Sequence, residues 1–367
     1  MKNSFFLCFG AGIYQSYLVK TLKKMRLNVI SVDKDKNAPA LKYSDIKIIQ
    51  SVSNTQKIKK YLEKLKLSEN IVGVVTQAAR ESIQSVSDFN QIFGLKGLNK
   101  KTTKKLLKKD LLCKSFNKNL GNFYKYSDLK NINNFPVLSK FPNESGGKGI
   151  SLLNTKKDIK ILKNKIKDNE KVYIEKFLDG EHFNIVGLKD KSKIKIYCIL
   201  SKKINNNFST DKITYTPSYN PNKKKIYKFC EYVLKKTNFD FGPFQLEIIL
   251  SKNKIYLAEI ETSCIGSYIS ELIIPRVNNS CLVKDTINLI LGHKINHQLK
   301  NYKKYSILKF FYKLNEFKKL KRTIKNKKFK IITKKNYLIK QKQRLAKVVI
   351  YFETKNKNTF NNFNKFI

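Results

Sequence analysis

A predicted strand followed by a glycine-rich stretch could support phosphate chemistry. Residues 136–141 form the strand, which delivers Lys140, and the run Ser145-Gly146-Gly147-Lys148-Gly149 follows within a few residues. Glycines let backbone amides approach a polyphosphate closely, and a positioned lysine neutralises its oxygens. The spacing is not that of a P-loop, which needs Ser or Thr directly after the lysine. The pattern predicts a lid over phosphates; the alternative is an ordinary surface loop in a lysine-rich protein.

A second stretch, residues 172–188, carries two acids around a short connection. Glu175 stands at the end of one predicted strand, the connection passes through Leu178, and Glu181 opens the next strand. A short extended linker offers free backbone groups to the edge of a planar base, and a carboxylate can hold ribose hydroxyls. The alternative is a pair of solvated acids at a hairpin.

A third stretch, residues 241–269, places three glutamates inside otherwise apolar strands. Glu247 lies on one strand of a predicted hairpin, and Glu259 and Glu261 lie on the other. Side chains two apart on a strand share a face, and cross-strand pairing would bring Glu247 beside the other two. Carboxylate oxygens on one face suit Mg²⁺, which keeps waters and bridges substrate phosphates. The alternative is a set of outward-facing, solvated glutamates.

The first hundred residues alternate strand and helix signals. Strands are predicted at residues 4–9, 28–32, 46–49 and 71–76, and helices at 14–24 and 54–67. Strands separated by helices of this length imply a parallel, doubly wound sheet, and therefore an α/β domain. A lysine-rich helical stretch at residues 100–119 leads out of it.

The middle of the chain predicts a different architecture. Strands at residues 172–177, 182–188 and 193–200, a helix at 223–237, and a strand pair joined by the turn Ser251-Lys252-Asn253 indicate an α+β domain. From about residue 300 the composition shifts to Lys, Asn and Phe, with a β-like segment at 346–353.

A glycine turn near the N-terminus partly fits a dinucleotide-binding fingerprint. Gly10 and Gly12 follow the first strand, and Asp33 comes about twenty residues later. Gln15 stands where the fingerprint has its third glycine. The simpler interpretation is a tight strand-to-helix turn that faces a ligand anion. A Rossmann dehydrogenase remains a rival hypothesis, to be distinguished by binding of a nicotinamide cofactor.

The charge balance is strongly basic, with 76 Lys and Arg against 27 Asp and Glu and a formal net charge of +49. Such an excess normally suggests binding to nucleic acid or to an anionic membrane. Here the lysines are spread through every segment amid abundant Asn and Ile, which indicates compositional drift as much as a binding face. A nucleic-acid partner is therefore disfavoured.

Cysteines and apolar runs predict a reduced, cytoplasmic protein without a membrane span. The six cysteines are scattered, with no C-x-x-C pair. No run approaches the roughly 18 consecutive apolar residues of a membrane helix. The apolar start lacks a small-residue cleavage site and is better explained as a buried strand than as a signal peptide. His293 and His297 are four apart, but Lys294 stands where a zinc-protease helix would carry glutamate, so zinc is not expected.

The three motif stretches, in this order, resemble the ATP-grasp superfamily, and in particular its carboxylate–amine ligases. Biotin carboxylase, carbamoyl-phosphate synthase and the purine-pathway glycinamide enzymes are similar, and the resemblance covers roughly residues 4–295. It implies a Rossmann-like pre-ATP-grasp domain at 1–100 that binds no nicotinamide, and an ATP-grasp domain at 101–298 with a lid subdomain at about 109–175. The composition shift marks off a third part, a basic C-terminal segment at 299–367, which is expected to contain a β hairpin.

The resemblance also implies a role for individual residues. Lys109 and Lys140 match the lysines that contact ATP phosphates, and Ser145 through Gly149 match the phosphate lid. The remaining matches are the adenine-contacting linker (Glu175, Lys176, Phe177 and Leu178), the ribose-binding acid (Glu181), the Mg²⁺-bridging acids (Glu247 and Glu259), and a basic residue near the transferred phosphate (Lys202).

One departure from the family pattern lies at the second metal site. The family usually reads Glu-x-Asn-x-Arg there, whereas this chain has Glu259, Glu261 and Ser263 at those positions. Glutamate can ligate Mg²⁺ in place of asparagine, at the cost of an extra negative charge. Ser263 removes an arginine clamp for an acyl phosphate or a substrate carboxylate. Arg276 and Arg80 are the candidates to replace this arginine. The departure is also compatible with an enzyme that is weakened or inactive.

The expected function is an ATP- and Mg²⁺-dependent ligase, with Mn²⁺ as a possible substitute for Mg²⁺. It would activate a small-molecule carboxylate as an acyl phosphate for attack by an amine, and homodimers are common among the enzymes it resembles. The alternative from another class is a basic protein that binds RNA or an anionic surface through residues 300–347 and keeps a vestigial ATP site. A steep fall of affinity with salt concentration would be its signature.

Overall fold

Three β-sheets organise the chain, and each is built from one continuous stretch of sequence. The computed structural model describes residues 4–117, 120–141, 149–164, 166, 171–191, 193–217, 222–299, 302–323, 329–332 and 346–367. No helix in these ranges is both long enough and apolar enough to cross a membrane.

The first sheet is parallel, as the alternation of strands and helices predicts. Its strands are β1 (Phe5–Phe9), β2 (Asn28–Asp33), β3 (Ile46–Ile49) and β4 (Ile71–Thr76), in the order β3-β2-β1-β4. The helices between and after them are α1 (Ser16–Lys24), α2 (Thr55–Lys64) and α3 (Ile83–Ile92). Alternate residues of β1 enter two different cores: Phe6 packs in one with α1, and Leu7 packs in the other with α2 and α3. Helices therefore cover both faces of the sheet.

The lysine-rich stretch predicted to be helical contains two helices. These are α4 (Lys100–Leu107) and α5 (Lys109–Phe116), and Lys108 between them leaves helical geometry with φ −81° and ψ 68°. The break leaves the carbonyl of Leu107 available to a side chain, and Arg80 donates a hydrogen bond to it at 2.8 Å. This tertiary contact replaces a helical hydrogen bond at the break between the two helices.

The second sheet is small and antiparallel, and it lies within the range predicted as the lid. Its strands are β5 (Gly121–Tyr124), β6 (Val137–Lys140), β7 (Ile150–Leu153) and β8 (Val172–Lys176), in the order β5-β8-β6-β7, with helix α6 (Lys156–Lys163) between β7 and β8. It has its own apolar core, which includes Leu129, Leu162 and Ile174. Strand β8 runs directly into the connection toward the third sheet.

The third sheet has eight strands, and its order is β13-β12-β9-β10-β11-β14-β16-β15. The strands are β9 (Glu181–Asp190), β10 (Lys193–Ile204), β11 (Thr210–Tyr215), β12 (Phe241–Ser251), β13 (Lys254–Glu261), β14 (Tyr305–Phe311), β15 (Lys330–Ile331) and β16 (Val348–Thr354). The helices of this region are α7 (Lys223–Thr237), α8 (Ile274–Asn278), α9 (Leu282–Ile290), α10 (Leu314–Thr323) and α11 (Lys357–Phe366).

The C-terminal segment does contain a pair of antiparallel strands, β14 and β16. They do not stand apart from the preceding domain, however, because β14 also pairs with β11. The C-terminal strands therefore extend the large sheet, and α11 packs its buried Phe360 and Phe363 into the same apolar cluster as β14 and β16.

Candidate active site

One face of the large sheet presents polar side chains to a cavity of about 430 Å³. They stand at alternate positions on four neighbouring strands, so the pleat directs them to the same side. The polar residues of these strands that line the cavity are His182 and Asn184 on β9, Lys202 on β10, Gln245 and Glu247 on β12, and Glu259 and Glu261 on β13.

Glu247 and Glu259 are directly opposite each other in the β12–β13 pair. The hairpin turns at Lys252 and Asn253, both with positive φ (47° and 61°), as a two-residue hairpin of the primed type requires. The register shifts after Glu247, because Ile248 pairs with Leu257. The predicted cross-strand approach of the two glutamates is confirmed.

Each of these carboxylates lies beside a cation. Lys202 Nζ is 2.6 Å from Glu247 Oε1, and Arg80 Nη1 is 3.4 Å from Glu259 Oε1. Both pairs are largely removed from solvent, with side-chain exposures between 14% and 28%. These two carboxylates and two cations therefore neutralise one another, and a charged ligand could exchange these contacts for its own.

Glu261 carries the extra negative charge that the sequence departure introduces. Burial, together with the nearby Glu259 and Glu247, raises the pKa of Glu261 to about 7, against opposing effects from the Ser263 hydroxyl and Arg80. Ser263 Oγ donates to Glu261 Oε1 at 2.8 Å. Ser263, at the position of the usual arginine, therefore donates a hydrogen bond to the Glu261 carboxylate.

The three glutamates line one cavity but do not converge on one point. Among the described residues, no group of three or more His, Cys, Asp or Glu side chains is placed to hold a metal ion. The prediction of three carboxylates meeting at one ion is thus corrected: Glu261 is opposite Gln245, beyond the Glu247–Glu259 pair. Mg²⁺ is commonly bound through one or two carboxylates and substrate phosphates, and Glu247 and Glu259 fit that mode.

The small sheet supplies another wall of the cavity. Lys140 ends β6, Glu175 lies on the neighbouring strand β8, and their side chains form an ion pair. The linker residues Lys176, Phe177 and Leu178 line the same cavity. The amide of Lys176 donates to Leu120 O at 2.8 Å and that of Phe177 to Pro136 O at 3.1 Å, so the linker is fixed to the small sheet.

Other predicted ATP contacts lie at the edge of this site or outside the described residues. Glu181 lines a neighbouring cavity of about 610 Å³, which shares Phe177, Leu178 and His182 with the first. Gly149 adopts φ +66° and its carbonyl accepts from the Phe141 amide at 3.3 Å. Residues 145–148 and the side chain of Lys109 are not among the described parts of the chain.

The first sheet docks on the end of β13 and brings Arg80 to the site. Ala78 N donates to Cys264 O at 3.0 Å, and Gln77 Nε2 donates to Ile265 O at 2.9 Å. Gly266 permits this approach, because a Cβ there would lie 2.3 Å from the Ala78 Cβ. Arg80 follows Ala78 by two residues and enters the cavity wall.

Arg276, predicted as a catalytic residue, does not line this cavity. It lies in α8, donates to the carbonyls of Glu271 and Leu272 at 3.2 Å each, and pairs with Glu353 at 3.5 Å. The prediction for Arg276 is corrected by this placement. Of the two arginines proposed from the sequence, Arg80 is the one beside the glutamates.

The N-terminal glycine turn is closed by its own side chains. Asp33 accepts hydrogen bonds from Ala11 N at 2.8 Å and Asp35 N at 2.9 Å. Gln15 donates to Gln77 O at 2.5 Å and lies over Gly12, where a Cβ would be 2.7 Å from its Oε1. These contacts stabilise the turn between β1 and α1, in agreement with the tight-turn interpretation.

Sequence reasoning missed several polar side chains of the site, among them His182 and Asn184. His182 pairs with Lys202 across β9 and β10, and its pKa is lowered by burial and by the charges of Lys202 and Lys140. Asn184 is 4% exposed, and its Oδ1 is buried without a hydrogen-bond partner among the described residues. Their alternate positions on a predicted strand indicate that both side chains share one face of the sheet. That this face also carries Lys202 and Glu247 follows only from the strand register.

The chain has detectable relatives among characterised proteins, although no protein-family model matches it. Formate-dependent phosphoribosylglycinamide formyltransferase from Prochlorococcus marinus is 27% identical over 212 residues, which are 52% of this chain and 52% of that protein. The chain spans about half the length of this relative and of a second one from the same species.

Solved structures match nearly the whole chain. The L-amino acid ligase from Bacillus licheniformis has a TM-score of 0.77 at 14% identity, covering 99% of this chain and 96% of that chain. The carboxyaminoimidazole ribonucleotide synthase from Aspergillus clavatus, complexed with ATP, has a TM-score of 0.76 at 15% identity, with coverages of 99% and 97%. These findings confirm the resemblance predicted from the three motif stretches: the chain has the fold of the ATP-grasp carboxylate–amine ligases.

Proposed function

We propose that this protein is an ATP- and Mg²⁺-dependent ligase that activates a small-molecule carboxylate and joins it to an amine. One observation carries the proposal: a single cavity combines Lys140, Lys202, the linker at Phe177, and the Glu247–Glu259 pair. These groups span more than a hundred residues of the sequence, from Lys140 to Glu259, and supply what MgATP needs. The similarity to a synthase crystallised with ATP supports nucleotide binding in this fold.

Lysine side chains account for the phosphate end of the nucleotide. Lys140 and Lys202 reach the cavity from different sheets, and each rests on a glutamate. A polyphosphate would offer both lysines new oxygens, while the linker at Phe177 and Leu178 would contact the base. Because each lysine already lies in the wall, binding requires side-chain rearrangement rather than refolding.

The carboxylates account for the metal. Glu247 and Glu259 would hold Mg²⁺, or Mn²⁺ in its place, together with phosphate oxygens. When bound, the ion would neutralise the charge that develops on the transferring phosphoryl group. Asn184 pairs with Glu247 across β9 and β12, and its buried Oδ1 can accept a hydrogen bond from a donor group of a ligand beside this carboxylate.

The proposed chemistry has two steps. A carboxylate oxygen of the substrate attacks the γ-phosphorus of ATP, the bond to the β-phosphate bridging oxygen breaks, and ADP leaves. An amine nitrogen then attacks the acyl carbon, inorganic phosphate leaves, and the amine loses a proton. The residues of this chain bind and orient the reactants, which is the main requirement for phosphoryl transfer.

Replacement of Glu259 by Gln tests the proposal. It keeps the size of the side chain and removes the charge, so the fold should persist while ATP turnover falls by about 100-fold or more. The matched control is Glu316→Gln, since Glu316 is an exposed acid on α10. ADP formation and the melting-temperature shift caused by MgATP are measured for both. Unchanged turnover in the Glu259 variant would refute the site assignment.

A further inference from the structure

Part of the lining of the cavity is apolar or aromatic. This wall contains two tyrosines, one phenylalanine and three isoleucines. They are Tyr14, Ile213, Ile265, Ile269, Phe310 and Tyr312. They come from the turn before α1, from strand β11, from the end of β14 and the residue after it, and from the segment that follows β13. All three segments of the chain therefore contribute to this wall.

The aromatic side chains of the wall are held in place by their neighbours. The rings of Tyr14 and Tyr268 meet edge to face, with centroids 5.5 Å apart. The hydroxyl of Tyr312 donates to Thr210 O at 2.9 Å. Burial raises the pKa of both Tyr14 and Tyr312. The wall thus presents fixed, uncharged rings to whatever occupies the cavity.

Arg80 lines the same cavity and lies beside Glu259. Its Nη2 donates to Leu107 O at 2.8 Å, which fixes the guanidinium. Its contact with Glu259, at 3.4 Å, is longer than the roughly 2.8 Å usual for a charge-assisted hydrogen bond. A planar guanidinium suits a carboxylate, and the long contact with Glu259 can be exchanged for a new partner while Leu107 O holds the other nitrogen.

We propose that the activated substrate is a carboxylic acid with an aliphatic or aromatic body, which lies between Tyr14 and Tyr312 while its carboxylate faces Arg80. The inference rests on the proposed function and names its substrate class. Apolar pockets with a few convergent polar groups typically bind ligands of this composition. An acid as small as formate would leave the wall uncovered, and a sugar phosphate would place charge against it.

Trapping of the acyl phosphate with hydroxylamine tests the substrate class without knowledge of the natural amine. Hydroxylamine displaces phosphate from an acyl phosphate and gives a hydroxamate. The hydroxamate forms a coloured complex with iron(III), which is measured by its absorbance. The acids compared are formate, acetate, aspartate, O-phosphoserine, leucine, phenylalanine and 3-phenylpropionate, each with MgATP. We expect leucine, phenylalanine or phenylpropionate to give a kcat/KM at least about 10-fold above the others, as apolar-pocket discrimination allows.

Variants of the wall separate specificity from folding. Tyr312→Ala should raise KM for the preferred apolar acid by about 10-fold while KM for ATP stays within about 2-fold. Tyr312→Phe, which keeps the ring, should preserve the acid's KM. A melting curve shows whether Tyr312→Ala folds. If it does not, Tyr14→Leu takes its place, and we expect its kcat/KM to fall more for phenylalanine than for leucine.

The outcomes distinguish this inference from the function on which it rests. Hydroxamate formed best from formate, aspartate or phosphoserine would overturn the apolar substrate and leave the ligase assignment intact. Equal KM values for the acid in wild type, Tyr312→Ala and Tyr312→Phe would also overturn the apolar substrate and leave the ligase assignment intact. Absence of both a MgATP-induced melting shift and any hydroxamate would overturn the ligase and the inference together.

Discussion

Lys202 Nζ lies 2.6 Å from Glu247 Oε1, so a predicted phosphate-binding lysine and a predicted metal-binding glutamate neutralise each other within the cavity wall. Neither side chain is fully solvated, and a lone charge there would be costly. Arrival of MgATP would let both groups exchange this contact for oppositely charged ligand groups. The pair therefore keeps the site charge-balanced before the nucleotide binds.

Lys202→Met is expected to lower kcat for ADP formation by about 100-fold, because one cation beside the transferring phosphate is lost. It also leaves Glu247 without this cation, so we expect a loss of stability of about 1 kcal/mol. Lys313→Met serves as the matched control, since Lys313 is exposed. Rate measurements and urea denaturation check the two effects; equal rates for the two variants would contradict the role of Lys202.

Glu261→Gln is expected to stabilise the protein at alkaline pH. The pKa of Glu261 is raised from 4.5 to about 7 in the folded state, so the folded protein retains a proton that the unfolded chain releases between these values. Stability is therefore lost as the pH rises from about 4.5 to 7 and stays lower above this range. Glutamine removes that loss, which amounts to roughly 1–3 kcal/mol at pH 8.

Thermal melts of the metal-free protein at pH 5.5 and pH 8 check this prediction. The difference in melting temperature between variant and wild type should grow with pH, whereas Glu316→Gln should show no such trend. A difference of the same size at both pH values would mean that Glu261 does not titrate in this range.

The two arginines nominated from the sequence should behave differently. Arg80→Met is expected to reduce kcat/KM for the carboxylate substrate by about 100-fold, since the cation beside Glu259 is removed. Arg276→Met should leave kcat/KM within about 3-fold, because Arg276 pairs with Glu353 away from the cavity. Steady-state kinetics with varied carboxylate at saturating MgATP make the comparison. A larger loss in the Arg276 variant would reverse the assignment.

Asp285→Ala is expected to destabilise the protein by about 3 kcal/mol. Lys195 is 3% exposed, and its ammonium contacts Asp285 at 2.7 Å, while the hydroxyl of Tyr197 donates to the same oxygen at 2.5 Å. Removal of the carboxylate leaves a buried cation without this anion. Urea denaturation measures the change.

Glu63→Gln is the control for this buried ion pair. Glu63 lies 3.6 Å from Lys59 on the surface of α2, with about half of each side chain exposed. An exposed pair of this kind contributes about 0.5 kcal/mol or less. Similar losses in the Asp285 and Glu63 variants would show that burial does not set the strength of the Lys195 contact.

The sequence alone predicted the parts of the molecule that depend on local pattern. The alternation of strands and helices predicted the parallel first sheet, and the turn at Lys252 and Asn253 predicted a hairpin with Glu247 beside Glu259. In both cases the residues that interact are near each other along the chain, and periodicity fixes which side chains share a face.

Tertiary structure decided the contacts between distant segments. The sequence could not show that His182 faces Lys202, that the helix breaks at Lys108, or that Arg80 rather than Arg276 meets Glu259. Each of these depends on register and docking, which are set by the burial of whole strands and helices against one another rather than by local propensity. The sequence by itself therefore determined which chemical groups the site could contain. The packing of three sheets decided which of them meet.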